Sequence, residues 1–222
     1  IFLRKYEKQC ISYSYRHIQV SQKFTLCDCL PHELTGSFSI FSYNNTDDID
    51  IASLLSVNEG GSWQPEECVA IFRVALVLPY CSHLKYLLGN LHRLLQLQKL
   101  EYKIFVIKET SRHFSTSIMM NIAFLEAQHD FHFDCIVFYD PYVIPLSDLH
   151  FLNCMSLPRC KSWEASGAPR RNTENAAQIS IYSPEQFYSL NGFAHMNSWK
   201  QSQRNLCKRA SYKYTIYNLP QR

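Results

Sequence analysis

The chain has 222 residues, 46% of them hydrophobic and 18% charged, with a formal net charge of +3. That suits one large α/β domain or two small ones, with ample material for a core. The basic clusters Arg170-Arg171 and Lys208-Arg209 are too short for a nucleic-acid footprint, and no run of about 18 apolar residues is present to span a membrane.

The sequence starts at Ile1 rather than Met, which points to a fragment or a mature form whose membrane anchor, if it has one, lies upstream. Nine cysteines fit an oxidising compartment, and the odd number leaves at least one thiol unpaired or bonded between chains. The sequon Asn44-Asn45-Thr46 makes Asn44 a candidate glycosylation site and agrees with a secretory route.

Residues 1–35 lack periodicity and hold Cys10, Cys27 and Cys29, as expected of an irregular stem. Weak alternation over 38–43 suggests an edge strand, and 47–56 a short helix with an acidic first turn. A turn over 59–65 leads to a strand over 69–79. Arg73 sits awkwardly in that strand; a start just after Arg73 would spare it burial without a partner. Ser82 is the expected N-cap of a helix over 83–98, with Leu84, Leu87, Leu88, Leu91, Leu94 and Leu95 on one face. A second strand covers 102–107. The helix over 117–128 should bury the stripe Ile118, Ile122 and Leu125. A short, wholly apolar strand follows over 135–139.

Strands alternating with amphipathic helices predict a parallel three-layer α/β sheet. Ligands in such sheets sit at the carboxyl ends of strands, which puts Pro79-Tyr80-Cys81 and Tyr139-Asp140-Pro141 at the site edge. Residues 161–175 read as a polar loop and 179–182 as a strand. Residues 184–190 should form a short helix with Pro184 in its first turn and Asn191-Gly192 as a left-handed cap. The last 30 residues give no element. No P-loop, dinucleotide fingerprint or nucleophile elbow occurs. His83 and His92 point to different sides of one helix, and His129 and His132 suit a surface turn.

Several ordered motifs resemble the β-1,4-galactosyltransferase family of Golgi enzymes, over about 34–209. They are Gly60-Gly61-Ser62-Trp63-Gln64-Pro65-Glu66-Glu67-Cys68, His83-Leu84-Lys85-Tyr86, Asp134-Cys135-Ile136-Val137-Phe138-Tyr139-Asp140 with Ile144-Pro145, and Ser183-Pro184-Glu185-Gln186-Phe187 with Leu190-Asn191-Gly192-Phe193. The resemblance implies a nucleotide-diphospho-sugar transferase fold (GT-A, Rossmann-like), a three-layer sandwich with a mainly parallel central sheet. Residues 36–160 would be its nucleotide-sugar-binding half and 161–222 a degenerate, truncated acceptor and catalytic half. It implies Golgi residence, UDP-galactose as donor, a GlcNAc-type glycan as acceptor and Mn2+ as cofactor. It also implies two disulfides, Cys68 with Cys29 or Cys27, the pair Cys29–Cys68 being preferred, and Cys135 with Cys154.

The reactive positions depart from the family. Its Pro-Phe-Arg-x-Arg becomes Pro79-Tyr80-Cys81-Ser82, which leaves Pro79 as a remnant of the nucleotide-sugar site. Its Phe-Asn-Arg becomes Phe114-Ser115-Thr116, and Ala177-Gln178 replaces a Gly-Gly pair. Of its metal-binding Asp-Val-Asp only Asp140 remains, with Tyr142 in the second acid position. A phenol is neutral at pH 7 and a poor ligand for a hard cation. The acceptor loop Trp-Gly-Gly-Glu-Asp-Asp-Asp becomes Trp199-Lys200-Gln201-Ser202-Gln203-Arg204-Asn205, leaving Trp199 as a candidate sugar-stacking residue and no carboxylate as base. The family's remaining metal ligands, a Met and a His, have no counterpart before Arg222.

Three expectations follow. The first is a family scaffold with impaired chemistry, acting as an interaction partner or serving no function. The second is an active transferase with replaced residues, for which Arg204, Lys200 or Lys208 would stand in for the metal. The third is the product of a decayed gene.

Overall fold

A computed structural model describes residues 6–12, 25–40, 50–109, 115–163, 177–196 and 198–214. The helices are α1 (residues 6–12), α2 (Ile51–Leu54), α3 (Leu84–Leu97), α4 (Thr116–Asp130), α5 (Pro184–Ser189) and α6 (Trp199–Lys213). The strands are β1 (Ser62–Trp63), β2 (Arg73–Pro79), β3 (Glu101–Ile107), β4 (Cys135–Phe138), β5 (Arg159–Trp163) and β6 (Ala177–Tyr182). They form one six-stranded sheet in the order β1-β3-β2-β4-β6-β5.

The sheet is mixed, which corrects the expectation of a mainly parallel one. β1–β3, β4–β6 and β5–β6 are antiparallel. β2 and β3, joined through α3, run the same way: Glu101 N donates to Phe72 O at one end and Tyr80 N to Ile107 O at the other. A helical crossover returns the chain to a parallel strand, whereas β5 and β6 follow each other and pair antiparallel.

The chain forms two compact units, each discontinuous in sequence, that cut across the three consecutive segments laid out above. One comprises 1–74, 83–103 and 144–156; the other comprises 75–82, 104–143 and 157–222.

In the first unit, the expected irregular stem contains α1. Tyr6 of α1 stacks on Phe151 at 3.9 Å and bonds Asn153 through its hydroxyl. The Cys29–Cys68 pairing is corrected: Cys27 bonds Cys68, and Cys29 bonds Cys10 of α1. Cys27 N donates to Val69 O, which sets Cys27 beside Cys68, whereas the chain bends at Cys29, which reaches α1. The segment 148–152 is fixed by side chains that serve backbone groups. Gln98 donates to Asp148 O and His150 O and accepts from Leu152 N. The Asp148 carboxylate accepts from Thr35 N and Gly36 N, each at 2.7 Å. Gly36 has a φ of +89°, a conformation glycine adopts without strain.

α3 starts at Leu84, not at His83. Its N-cap is His83, which makes no side-chain cap, so Ser82 does not take the expected role. Leu87, Leu91, Leu94 and Leu95 are fully buried as expected. Arg73 begins β2 and is only partly buried, so the strand starts at this residue rather than just after it.

In the second unit, α4, α5 and α6 contribute to one core with Ala75 and Val77 of β2, Ile136 and Phe138 of β4 and Tyr182 of β6. α5 carries the full capping box, with Ser183 and Gln186 bonding each other's backbone. Asn191 and Gly192 end it, each with a φ of +57°. α4 corrects the expected stripe. It buries Ser117, Met120, Ala123, Phe124 and Ala127, while Ile118, Ile122 and Leu125 face outward. β5 and α6 occupy stretches that gave no element from sequence. Half of the edge-strand expectation over 38–43 lies outside the described residues, and 38–40 carry no element.

Candidate functional site

The site edge is built where β2 and β4 end. β2 closes at Pro79, and the following backbone is held by the bond from Tyr80 N to Ile107 O. That leaves the Tyr80 ring half exposed, with Lys108 Nζ 5.1 Å from its centroid. Cys81 is buried and is the one cysteine among the described residues that is not in a disulfide. Tyr139 N bonds Val77 O, which sets the end of β4 beside β2.

Asp140 follows immediately and is buried to 1% exposure. Its Oδ1 accepts from Tyr142 N at 3.0 Å and its carbonyl accepts from Val143 N at 3.0 Å. An Asp at the head of a turn bonds the backbone two residues on in this way. The Tyr139 hydroxyl donates to Val143 O, which closes the same turn from beneath. Burial, and then the neighbouring Asp140 charge, push the Tyr139 phenol far up, so it stays protonated. Tyr142 stands at the tip, 71% exposed.

The second part of the site is the loop 190–196 and the helix after it. Asn121 of α4 grips this loop reciprocally: its Nδ2 donates to Phe193 O and its Oδ1 accepts from Phe193 N. A Cβ on Gly192 would lie 2.7 Å from Asn121 Oδ1, so glycine is needed here for space as well as for φ. From the other side, Arg209 of α6 donates to Leu190 O and to Gly192 O, while its Nε donates to Asn205 Oδ1. Burial lowers the Arg209 pKa. His195 Nδ1 lies 2.8 Å from the hydroxyl of Ser115, the residue that caps α4.

Trp199 opens α6, whose N-cap Ser198 accepts from Gln201 N. Its indole packs on Phe193 at 4.9 Å, and Phe193 meets Phe138 edge-on at 4.7 Å. An aromatic chain therefore links Trp199 to the strand that presents Asp140. Residues 199–205, where the family's acidic loop aligns, are the first two turns of a helix and include Lys200 and Arg204 but no carboxylate. α6 is tied to β5 by the disulfide Cys160–Cys207, and the Tyr182 hydroxyl lies 3.1 Å and 3.6 Å from the two sulfurs.

Pro79 and Asp140 thus lie at the ends of neighbouring strands, while Trp199 is partly buried and packs against the core through Phe193. His92 is buried against Tyr102, and His83 is the N-cap of α3. Cys135 and Cys154 are each disulfide-bonded. Asn44 lies outside the described residues. Among the described residues no three His, Cys, Asp or Glu side chains cluster so as to hold a metal ion. No helix among them is long and apolar enough to cross a membrane. Asn121 and Arg209 escaped the sequence reading because a polar side chain that serves distant backbone leaves no local pattern.

Comparison with known proteins gives a consistent result. The model of the N-terminal region of glycosyl transferase group 7 matches residues 27–155. β-1,4-galactosyltransferase 4 of Cricetulus griseus is 35% identical over 146 residues, 63% of this chain and 42% of that protein. β-1,4-galactosyltransferase 1 of Mus musculus is 35% identical over 149 residues, 64% of this chain and 37% of that protein. β-1,4-galactosyltransferase 5 of Mus musculus is 32% identical over 154 residues, 65% of this chain and 40% of that protein. The match therefore spans about two fifths of the length of these relatives. The matched region carries the Cys27–Cys68 disulfide, β2, α3, β3, α4 and the Asp140 turn, and on it the chain belongs to the β-1,4-galactosyltransferase family, glycosyl transferase group 7.

Proposed function

We propose that this chain is a galactosyltransferase-like domain of the secretory pathway, with a GT-A-type scaffold, that does not perform metal-dependent galactosyl transfer and acts instead through a protein partner. The observation that carries this reading is the state of Asp140. Its carboxylate is buried and accepts from its own turn, and the adjacent acid position is an exposed phenol. A hard divalent cation takes several oxygen donors, chiefly carboxylates, and the donor set at this turn does not fit one. The helix at 199–205 supports the same reading, because where the family's acidic loop aligns it carries Lys200 and Arg204 and no carboxylate. A positioned general base contributes about 10²–10⁴ in rate, and a metal Lewis acid several kcal/mol more. UDP-galactose and a GlcNAc-type glycan are the ligands of the family activity that the scaffold would have inherited. The eight disulfide-bonded cysteines support an oxidising compartment, and hence the Golgi lumen as the place of action.

The test is calorimetric titration of the oxidised chain with UDP-galactose, with and without manganese. No metal-dependent binding by a chain shown to be folded is the expected result. Manganese-dependent binding near micromolar would overturn the reading and point to an active enzyme with replaced ligands.

A further inference from the structure

α6 carries five cations, Lys200, Arg204, Lys208, Arg209 and Lys213, and no acidic residue along its 15 positions. Two of them serve the fold. Arg209 donates to the carbonyls of Leu190 and Gly192, and Lys213 Nζ donates to Ser189 O. The other three recur every four residues, so they share one face at intervals of about 6 Å along the axis. Each stands two positions from a buried residue, Ser202, Leu206 or Ala210, which puts the row on the opposite side of the helix. Lys200 and Arg204 are partly exposed, and Lys208 is exposed. Four residues beyond Lys208 the row ends on Tyr212, 80% exposed.

This row costs the helix stability. Like charges four residues apart repel, and Lys200 stands in the first turn, where the helix end is already electropositive. The inner face offsets little of that, since two of its four buried side chains, Ser202 and Gln203, are polar. Residues that oppose their own element in this way are expected where a surface has a use.

We propose that the row Lys200, Arg204, Lys208 and Tyr212 is a docking surface for an acidic helix of a partner protein, one that presents carboxylates at every fourth position. Such a helix repeats the interval of about 6 Å, so three charge-assisted contacts form in register. Arg204, at the centre, suits a bidentate carboxylate. Charge complementarity of this kind fixes register and rejects basic partners. A sulfated polysaccharide fits less well. The affinity of a polyanion grows with the number of charges neutralised, and three cations over about 12 Å neutralise few. It would also leave Tyr212 unused, whereas tyrosine and arginine are the side chains that anchor protein interfaces. The inference rests on the proposed protein partner and names its chemistry. The two fail separately, because manganese-dependent binding of UDP-galactose would overturn the loss of chemistry, and peptide binding alone decides this surface.

The probe is a fluorescein-labelled, alanine-rich peptide of about 20 residues, long enough to hold a helix, with three glutamates at four-residue intervals. Fluorescence anisotropy against the oxidised chain is expected to show saturable binding that weakens as salt is raised. A peptide of the same composition with its glutamates off that interval should bind roughly tenfold more weakly. Arg204→Glu should weaken binding of the first peptide by roughly tenfold or more, and so should Lys208→Glu, whose side chain is exposed and can be reversed without touching the core. Replacing the central glutamate of the peptide by lysine should restore affinity for the Arg204→Glu chain, which a misfolded variant would not do. No binding by the parent chain, equal binding of the two glutamate peptides, or indifference to either charge reversal overturns the proposal. Binding of heparin without binding of the peptide overturns it as well, and assigns the row to a sulfated polysaccharide.

Discussion

His92 is a histidine held neutral by its surroundings. It is buried on α3 with Nδ1 2.8 Å from the Tyr102 hydroxyl, and burial lowers its pKa to about 4. The unfolded chain returns it to an ordinary value near 6.5. Between those values the unfolded state takes up a proton that the folded state refuses. Stability from this residue is therefore fully present above about pH 6.5 and is lost as pH falls toward 4, by about 3 kcal/mol in all. His92→Gln keeps an acceptor for Tyr102 but cannot titrate. Denaturant midpoints followed over this range should fall more steeply for the parent than for the variant, and parallel curves would refute the assignment. The sequence shows His92 on the helix but not its burial. Leu91, Leu94 and Leu95 set the buried face, and His92 follows Leu91 by only one position. Residue-scale chemistry of this kind depends on a distant partner, here Tyr102, ten positions along the chain.

At the scale of elements, legibility follows apolar periodicity. α3 and the strands β2, β3 and β4 are visible in the sequence because their buried residues recur at helical or strand spacing. α4 is visible as a helix, but its inward face is misassigned because two apolar stripes compete for it. α6 is invisible. Only Leu206 and Ala210 supply buried apolar side chains, beside buried Ser202 and Gln203. What supplements this thin face is covalent and polar: Cys207 to Cys160 on β5, and Arg209 to the carbonyls of Leu190 and Gly192. The disulfide closes a sequence separation of 47 residues, which by chain entropy is worth about 4 kcal/mol. Replacing both cysteines, Cys160→Ala with Cys207→Ala, should lower unfolding stability by that order in urea. A change under about 1 kcal/mol would mean that packing and Arg209 hold α6 without it.

At the scale of the whole molecule, the positions that match the family are those that build the scaffold: the turn at 60–61, the cysteines, the helix leucines and the apolar strand before Asp140. They are legible because many weak matches occur in a fixed order. The reactive positions are legible only as departures, and the structure adds what a departure does locally. Tyr142 is a surface residue at the tip of a turn that Asp140 organises, so an acid is sterically acceptable there. Tyr142→Asp therefore tests the proposed absence of a metal site. It restores a second carboxylate beside Asp140 without disturbing the core, and manganese affinity measured by calorimetry should rise above the parent's. Galactosyl transfer should still be absent, because residues 199–205 form a helix that offers no carboxylate to take the acceptor proton. Transfer by the variant would mean that a base survives elsewhere and that the metal site alone had been lost. Metal binding without transfer would assign the proposed impairment to both halves of the chemistry.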